Sequence, residues 1–194
     1  MNRAFRSKAY ASGIDVLTGI RVESIDTAEG NCQLKISTLS REEALIRPAR
    51  LVVATNALGS TLIPGIDVEP AVNHVLVTDG IPDFGFPHAV HIDAGYVYAR
   101  PIENRMLIGG GRHWGLDETA TRNRLTALMH ELWPVTEAAG IAYQWSGLLG
   151  VGKDRSPIVK RFAPNAAAAV RLGGMGVAIG MEVGRMAAEK IAMN

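Results

Sequence analysis

The stretch from residue 167 to residue 192, AAAVRLGGMGVAIGMEVGRMAAEKIA, constrains the fold more than any other part of the chain. A small apolar strand, a glycine cluster and a helix follow one another in it. That order directs unpaired amides at a helix N-terminus towards an anionic or electron-rich group. Gly176, Gly180 and Gly184 recur every four residues, so one helix face is nearly bare and can pack very closely. The stretch therefore predicts a ligand site, close helix–sheet packing, or both.

A dinucleotide-binding domain of the Rossmann type would require more chain after this helix. Its next strand carries an acidic residue for the ribose about twenty residues beyond the glycine turn. Only Ala192, Met193 and Asn194 follow here, and the motif G-x-G-x-x-G occurs nowhere in the sequence. We therefore expect that the turn is not the first βαβ unit of a Rossmann fold.

Two other glycine clusters need an interpretation. GLLGVGKD, residues 147–154, nearly matches a phosphate-binding loop, but Asp154 replaces the required hydroxyl and Pro157 follows too closely for the required helix. We expect no phosphate loop here, and tight binding of Mg-ATP would be needed to revive it. Gly109–Gly111 predict either a strand bend or close approach of a ligand, with Arg112 or His113 directed into a site.

Composition narrows the class of protein. The 194 residues are 47% apolar and 20% charged with a formal net charge of +1, which is typical of a globular protein and does not favour binding to nucleic acid. Cys32 is the only cysteine, which fits a reducing compartment. The sequence has no secretory signal and no membrane span, so we expect a cytoplasmic protein. No residues have the spacing of metal ligands, and we expect no metal.

Hydrophobic periodicity predicts the order of the elements. Residues 2–12 suit a short helix, and the alternation of 31–38 places Cys32, Leu34 and Ile36 on one face of a strand. The apolar run 50–55 predicts a buried strand. Further elements are then expected. They are strand-like segments between residues 71 and 111 in a mostly antiparallel sheet, an amphipathic helix over 117–132 with Thr121, Leu125, Leu128 and Leu132 on one face, and a strand over 141–147.

One predicted strand carries a candidate binding surface. Tyr96, Tyr98 and Arg100 share a face of an extended segment, because side chains alternate along a strand. Two phenols and a guanidinium suit a small carboxylate or amine. A solvated face with aromatic cross-strand packing explains the pattern equally well.

Four stretches, taken in order, resemble the C-terminal part of the D-amino acid oxidase / glycine oxidase superfamily of FAD-dependent oxidoreductases. They are ASGIDVLTGIRVESID, RLVVATNALGSTLIPGI, GYVYARPIENRMLIGGGR and the terminal WSGLLGVGKDRSPIV…VRLGGMGVAIGMEVGRMAAEKI. The resemblance implies a mixed α+β or α/β fold. A partial FAD-binding domain, glutathione-reductase-like but lacking its N-terminal GxGxxG unit, would accompany an antiparallel-sheet substrate domain with an amphipathic helix. The implied boundaries are 1–66 for a portion of the FAD domain, 67–145 for the substrate domain and 146–194 for the terminal flavin-binding segment.

The same resemblance implies the site residues. Val22 would lie against the adenine of FAD, and Ala54 and Thr55 would come near the dinucleotide. The flavin contacts would come from the terminal turn, at Gly174, Met175, Gly176 and Val177. The substrate would be bound by residues of the sheet and the loop after it, at Tyr96, Tyr98, Arg100 and Arg112. Many amino-acid oxidases of the family anchor the substrate carboxylate with an arginine where this chain has Leu149.

The implied function is oxidation of an amine or amino acid by hydride transfer to the flavin of FAD, with no residue assigned as a catalytic base. An alternative is that the chain is a truncated product or a split subunit. It would then bind no FAD alone and act only with a partner carrying the missing N-terminal half, or it would self-associate as a homo-oligomer. The sequence leaves the substrate and the electron acceptor open.

Overall fold

The computed structural model describes residues 2–27 and 32–192, and this part of the chain forms three sheets with four α-helices. The helices are α1 (Asn2–Ala11), α2 (Gly59–Leu62), α3 (Glu118–Leu132) and α4 (Gly176–Ala192). The strands are β1 (Ile20–Asp26), β2 (Gln33–Thr38), β3 (Glu43–Ile46), β4 (Leu51–Val53), β5 (Glu69–Thr78), β6 (Val90–Ile92), β7 (Val97–Ile102), β8 (Arg105–Gly110), β9 (Ile141–Val151), β10 (Ile158–Ala163) and β11 (Ala166–Val170). The fold is therefore a mixed α+β fold with antiparallel sheets, as predicted at that level.

The first sheet is an antiparallel meander in the order β1-β2-β3. Cys32, Leu34 and Ile36 are buried along one face, which confirms the predicted alternation. Strand β1 begins at Ile20. Gly19, at φ 73°, has a left-handed backbone that turns the chain just before the strand begins.

The second sheet has the order β10-β11-β4 and contains the only parallel pairing in the described residues, between β11 and β4. All five residues of β11 are buried, whereas β4 buries only Val53. Val53 packs with Ile63 and Val68 on one face, and Val52 on the other face is exposed. The predicted strand within residues 50–55 is therefore present as Leu51–Val53, but it is buried on one face only.

The third sheet has the order β6-β7-β8-β5-β9 and is antiparallel throughout. Helix α3 covers one face of it and buries Thr121, Leu125 and Met129. Asp117 caps α3 by accepting a hydrogen bond from the amide of Ala120 at 2.8 Å. The predicted helix is confirmed, but Leu132 is exposed, because the buried stripe follows a strict four-residue spacing and passes through Met129 instead.

Strand β9 is the longest element of this sheet and lies at its edge. It includes most of the glycine-rich segment that resembles a phosphate loop, so residues 147–151 are extended strand. It also runs across the predicted domain boundary between residues 145 and 146, and the division into three segments stays a prediction.

Helix α4 follows β11 as predicted, but its glycine face is not packed in this chain. A Cβ atom added to Gly180 or Gly184 would meet nothing within 4 Å. The helix packs on the second sheet through Val183 and Ala187 instead, so the prediction of close packing along the glycine face is wrong for this chain. No helix among the described residues combines the length and the apolar character that crossing a membrane requires.

Candidate functional site

A cleft of about 570 Å³ lies between the loop that joins β11 to α4 and the face of the third sheet opposite α3. Its wall includes residues of strand β7, of the glycine-rich segment 147–154 and of the terminal glycine turn. Among the lining residues are Asn73, Tyr96, Tyr98, Arg100, Arg112, Leu149, Arg155, Gly174 and Met175. The cleft is therefore the place where the predicted cofactor turn and the predicted substrate residues meet.

Arg171 anchors the loop on the α4 side of the cleft. Its side chain is only 8% exposed and forms ion pairs with Asp67 and, at 2.8 Å, with Asp154. Its Nε donates to the carbonyl oxygen of Ser156 at 2.8 Å. Because a buried charge is costly unless it is paired, these contacts tie the loop to two other segments. A lone charge in an otherwise apolar stretch is the sequence signal that could have found it.

Asn56 forms a hydrogen bond with the same loop. Its Oδ1 accepts a hydrogen bond from the amide of Leu172 at 2.9 Å, and the amide of Gly173 donates to the carbonyl oxygen of Gly150 at 2.9 Å. A Cβ atom at Gly150 would lie 2.6 Å from the Asn56 oxygen. Gly150 is therefore required for the close approach of β9 to this loop.

The turn itself presents unused donors. Among the hydrogen bonds of the described residues, none has the amide of Gly174, Gly176 or Val177 as its donor. These amides lie at the N-terminus of a 17-residue helix, where the helix dipole adds partial positive charge. Gly173 and Gly174 have open space where a Cβ would stand. An electron-rich, planar group such as the pyrimidine edge of a flavin fits this donor set.

Tyr98 and Arg100 project from β7 into the opposite side of the cleft. The Tyr98 hydroxyl packs against Gly109, where an added Cβ atom would lie 2.6 Å from it. Burial raises the pKa of Tyr98, so the phenol keeps its proton at neutral pH. Asn73 is buried beside them, and its Oδ1 has no hydrogen-bond partner. The absence of a side chain at Gly109 therefore makes room for the Tyr98 ring in the cleft wall.

Tyr96 does not belong to the strand, contrary to the prediction. It follows a 3-10 turn, Asp93–Gly95, in a helical backbone conformation, so the alternation of β7 does not set its direction. The Tyr96 ring stacks on His113 with 4.2 Å between centroids. His113 and Trp114 both hydrogen-bond to Asp93 Oδ2, at 2.6 and 3.2 Å. Ring stacking and the Asp93 contacts bring Tyr96 to the cleft.

The structure separates the predicted site residues into two groups. The substrate set of Tyr96, Tyr98, Arg100 and Arg112 lines one cleft together with Gly174 and Met175, and Gly176 and Val177 begin α4 beside it. The second group, Val22, Ala54 and Thr55, lies outside the cleft lining, and its contacts with a dinucleotide stay predictions. Sequence reasoning missed Asn56, Asn73 and Arg155.

Known structures share this fold. Glycine oxidase from Geobacillus kaustophilus has a TM-score of 0.79 at 17% identity, over 98% of this chain and 52% of its own. Iminodiacetate oxidase from Chelativorans sp. BNC1 has a TM-score of 0.75 at 15% identity, over 96% of this chain and 52% of its own. L-proline dehydrogenase from P. horikoshii has a TM-score of 0.74 at 19% identity, over 97% of this chain and 54% of its own. At these identities the likeness is one of fold, and the chain spans about half the length of these proteins.

No curated protein is similar enough to the sequence to count as a match. The family model described as FAD dependent oxidoreductase matches residues 1–190, nearly the whole chain. The description of this family names FAD as the cofactor, which is the cofactor that the sequence resemblance predicted. The chain belongs to the DAO family of FAD-dependent oxidoreductases.

Proposed function

We propose that the protein is an FAD-dependent oxidoreductase, or part of one, that oxidises an amine or an amino acid. One observation carries the proposal. The turn with the free amides of Gly174, Gly176 and Val177 lies at the same cleft as Tyr98 and Arg100 of β7 and Arg112 of the loop after β8. A cofactor with an electron-rich edge and a small polar substrate would then lie between the two walls.

The chain's own residues would bind, orient and polarise. The chemistry that FAD would supply when bound is acceptance of a hydride from the substrate carbon that carries the nitrogen. The amides of Gly174, Gly176 and Val177, with the N-terminus of α4, would stabilise negative charge at the edge of the cofactor. The protonated phenol of Tyr98 and the guanidinium of Arg112 would orient the substrate on the opposite side. Val22, Ala54 and Thr55 would serve the adenine end.

FAD binding tests this proposal directly. A ligand that binds only the folded protein must raise its thermal stability, so FAD should raise the melting temperature and its fluorescence should change on binding. Val177→Pro removes one free amide at a helix position that tolerates proline, and Val177→Ala keeps that amide. We expect the proline variant to bind FAD about tenfold more weakly and the alanine variant to bind like the wild type. Equal affinity in all three would remove the turn from the cofactor site.

A second candidate function is supported by exposed apolar surface. Trp145 and Leu148 are exposed on β9, whose outer edge pairs with no strand of the described residues, and Val177 and Met181 are exposed on α4. Exposed apolar side chains of this kind favour association with another polypeptide. The solved structures of this fold are about twice as long as this chain. We therefore also consider that the chain acts as a subunit and binds FAD only with a partner.

One titration separates the two candidates. The chain is mixed with FAD alone, and then with FAD and a polypeptide that carries a strand–GxGxxG–helix unit from a related flavoprotein. A thermal shift with the chain alone supports an FAD-binding protein as given. A shift that requires the added polypeptide, with co-elution of the two in gel filtration, supports the subunit. No shift in either mixture contradicts both.

A further inference from the structure

Two arginines of the cleft wall lie against one tyrosine. Arg112 follows β8, and Arg155 lies in the loop between β9 and β10. Their guanidinium carbons lie 4.6 and 4.9 Å from the centroid of the Tyr96 ring. The Arg155 Nη2 also donates to the carbonyl oxygen of Ala94 at 3.1 Å. All three side chains line the cleft, so the tyrosine ring holds two cations from distant parts of the chain next to the same space.

The positive charge of this pair is not balanced. Among the described residues, neither guanidinium forms a salt bridge with a carboxylate. The two carboxylates of this region are used elsewhere, because Asp93 accepts from His113 and Trp114 and Asp154 pairs with Arg171. Desolvation lowers the pKa of Arg112, Tyr96 opposes this effect and the charge of Arg155 adds to it. An anion between the two groups would remove the repulsion and gain two charge-assisted hydrogen-bond donors.

The cleft wall has an apolar side chain at the position where the family resemblance implies a cation. Leu149, which takes the place of the carboxylate-anchoring arginine of the family, lines the same cleft. Its side chain can offer only apolar contact to a substrate. A carboxylate in this cleft must therefore find its cation on another element. Arg100 of β7 lines the cleft singly, whereas the Tyr96 pair provides two guanidinium groups against one ring.

We propose that Arg112 and Arg155, held by Tyr96, form a carboxylate-binding site, and that Arg155 makes the protein select acids over neutral amines. The selection of substrates rests on the proposed function, whereas the binding of a carboxylate does not. Bidentate recognition by a planar guanidinium explains why arginine rather than lysine suits this position.

Carboxylate binding to the full chain tests the proposal without cofactor or turnover. Propionate and propionamide have the same size and differ in charge, so each is titrated while the arginine Nε–Hε signals are followed by NMR. We expect the signals of Arg112 and Arg155 to shift saturably with propionate only. Arg155→Gln should weaken propionate binding at least about tenfold, and Arg155→Lys should retain part of it.

Arg124→Gln is the matched control, because Arg124 also stacks on an aromatic ring, at 4.4 Å from the Trp114 centroid, outside the cleft lining. It should bind propionate like the wild type. Circular dichroism and thermal melts establish that each variant is folded. Unchanged propionate binding in Arg155→Gln, or propionamide binding as tight as propionate binding, would overturn the proposal.

FAD binding, measured on the same samples by flavin fluorescence, keeps the two proposals apart. Propionate binding through Arg155 in a protein that takes up no FAD, alone or with a partner, supports the carboxylate site and contradicts the proposed function. FAD binding in a protein that does not bind propionate contradicts the carboxylate site alone.

Discussion

The third sheet with α3 and the second sheet with α4 each consist of a helix packed on a sheet. They differ in how much of the helix's apolar surface is buried. Helix α3 buries Leu125 and Met129 completely against the sheet, where they join Ile108 and Leu76 in one core. Helix α4 buries only Val183 and Ala187, and Met181 on its outer side is 73% exposed. The third sheet with α3, called the closed unit below, therefore has a covered core. The second sheet with α4, called the open unit, leaves apolar side chains exposed on one side.

This difference shows which part of the chain buries its apolar surface without a further polypeptide. A helix with one apolar stripe needs one covering layer, whereas a helix that is apolar on two sides needs two. Val177 and Met181 on α4 and Val52 on β4 leave apolar surface without a cover in the described residues. The open unit also carries the free amides of the candidate cofactor turn. Its exposed surface is thus consistent with the subunit candidate above.

The largest expected effect comes from the closed unit. Leu125→Ala removes a fully buried side chain and leaves a cavity, which should lower the free energy of unfolding by about 2–5 kcal/mol. Met181→Ala on α4 should change it by less than about 0.5 kcal/mol, because that side chain is already in water. Urea denaturation of both variants measures the two values. A large loss in Met181→Ala would mean that the open unit is covered in solution by a second copy of the chain.

A smaller effect is expected where the two units meet. Gly150→Ala places a Cβ atom 2.6 Å from Asn56 Oδ1 and 3.0 Å from the amide nitrogen of Ala57, so one of them must move. Overpacking of this kind costs about 1–3 kcal/mol, and it should also break the hydrogen bond from Leu172 to Asn56.

Gly147→Ala is the matched control in the same strand, because nothing lies within 4 Å of its added Cβ atom. We expect its unfolding free energy to stay within about 0.5 kcal/mol of the wild type. Urea denaturation of the two variants gives the comparison, and amide hydrogen exchange at Leu172 reports the contact. Equal stability and equal protection of Leu172 in both variants would show that the units are not joined through Asn56.

Much of the fold could be predicted because it depends on local patterns. The alternation around Leu34, the capped α3 and the strand–turn–helix of β11 and α4 each follow from neighbouring residues. The exposure of Val52 and the bare face at Gly180 and Gly184 could not be predicted, since both depend on what another segment covers. An apolar or small residue in a sequence indicates a tendency to be buried and does not identify a covering partner.

The residues of the cleft also divide into those that local sequence patterns indicate and those that depend on distant segments. Tyr98, Arg100 and Arg112 lie close together in sequence and line one cleft, and their binding of a substrate stays a prediction. Asn56 and Arg155 were missed because their contacts join distant segments: Asn56 bonds to a residue 116 positions later, and Arg155 to one 61 positions earlier. Both lie in stretches that resemble the family, but neither has a residue pattern that indicates a role. Only the folded structure brings Arg155 to the cleft and Asn56 to the loop beside it.

The smallest expected effect concerns Asp93, in the turn that supports Tyr96 in the closed unit. Hydrogen bonds from Trp114 and His113 hold the pKa of this carboxyl below its ordinary value of 3.8, and the charges of His113 and Arg124 add to the effect. A carboxyl with a lowered pKa in the folded state stabilises the protein above its ordinary pKa, and the contribution is lost as the pH falls through the folded-state pKa. Asp93→Asn should therefore cost stability at pH 6 and progressively less below about pH 4.

Urea denaturation at several pH values measures that change, and Asn is the suitable replacement because it tolerates the left-handed backbone at this position, φ 53°. Asp83→Asn, at φ 54° on the exposed surface, controls for the same exchange in the same backbone conformation. Because Asp93 is exposed, solvent screens its interactions and the effect should be smaller than that of Gly150→Ala. A loss of stability in Asp93→Asn that is equal at pH 6 and pH 3 would mean that the Tyr96 turn depends on packing and not on the carboxylate. The contrast between the units would then rest on apolar burial alone.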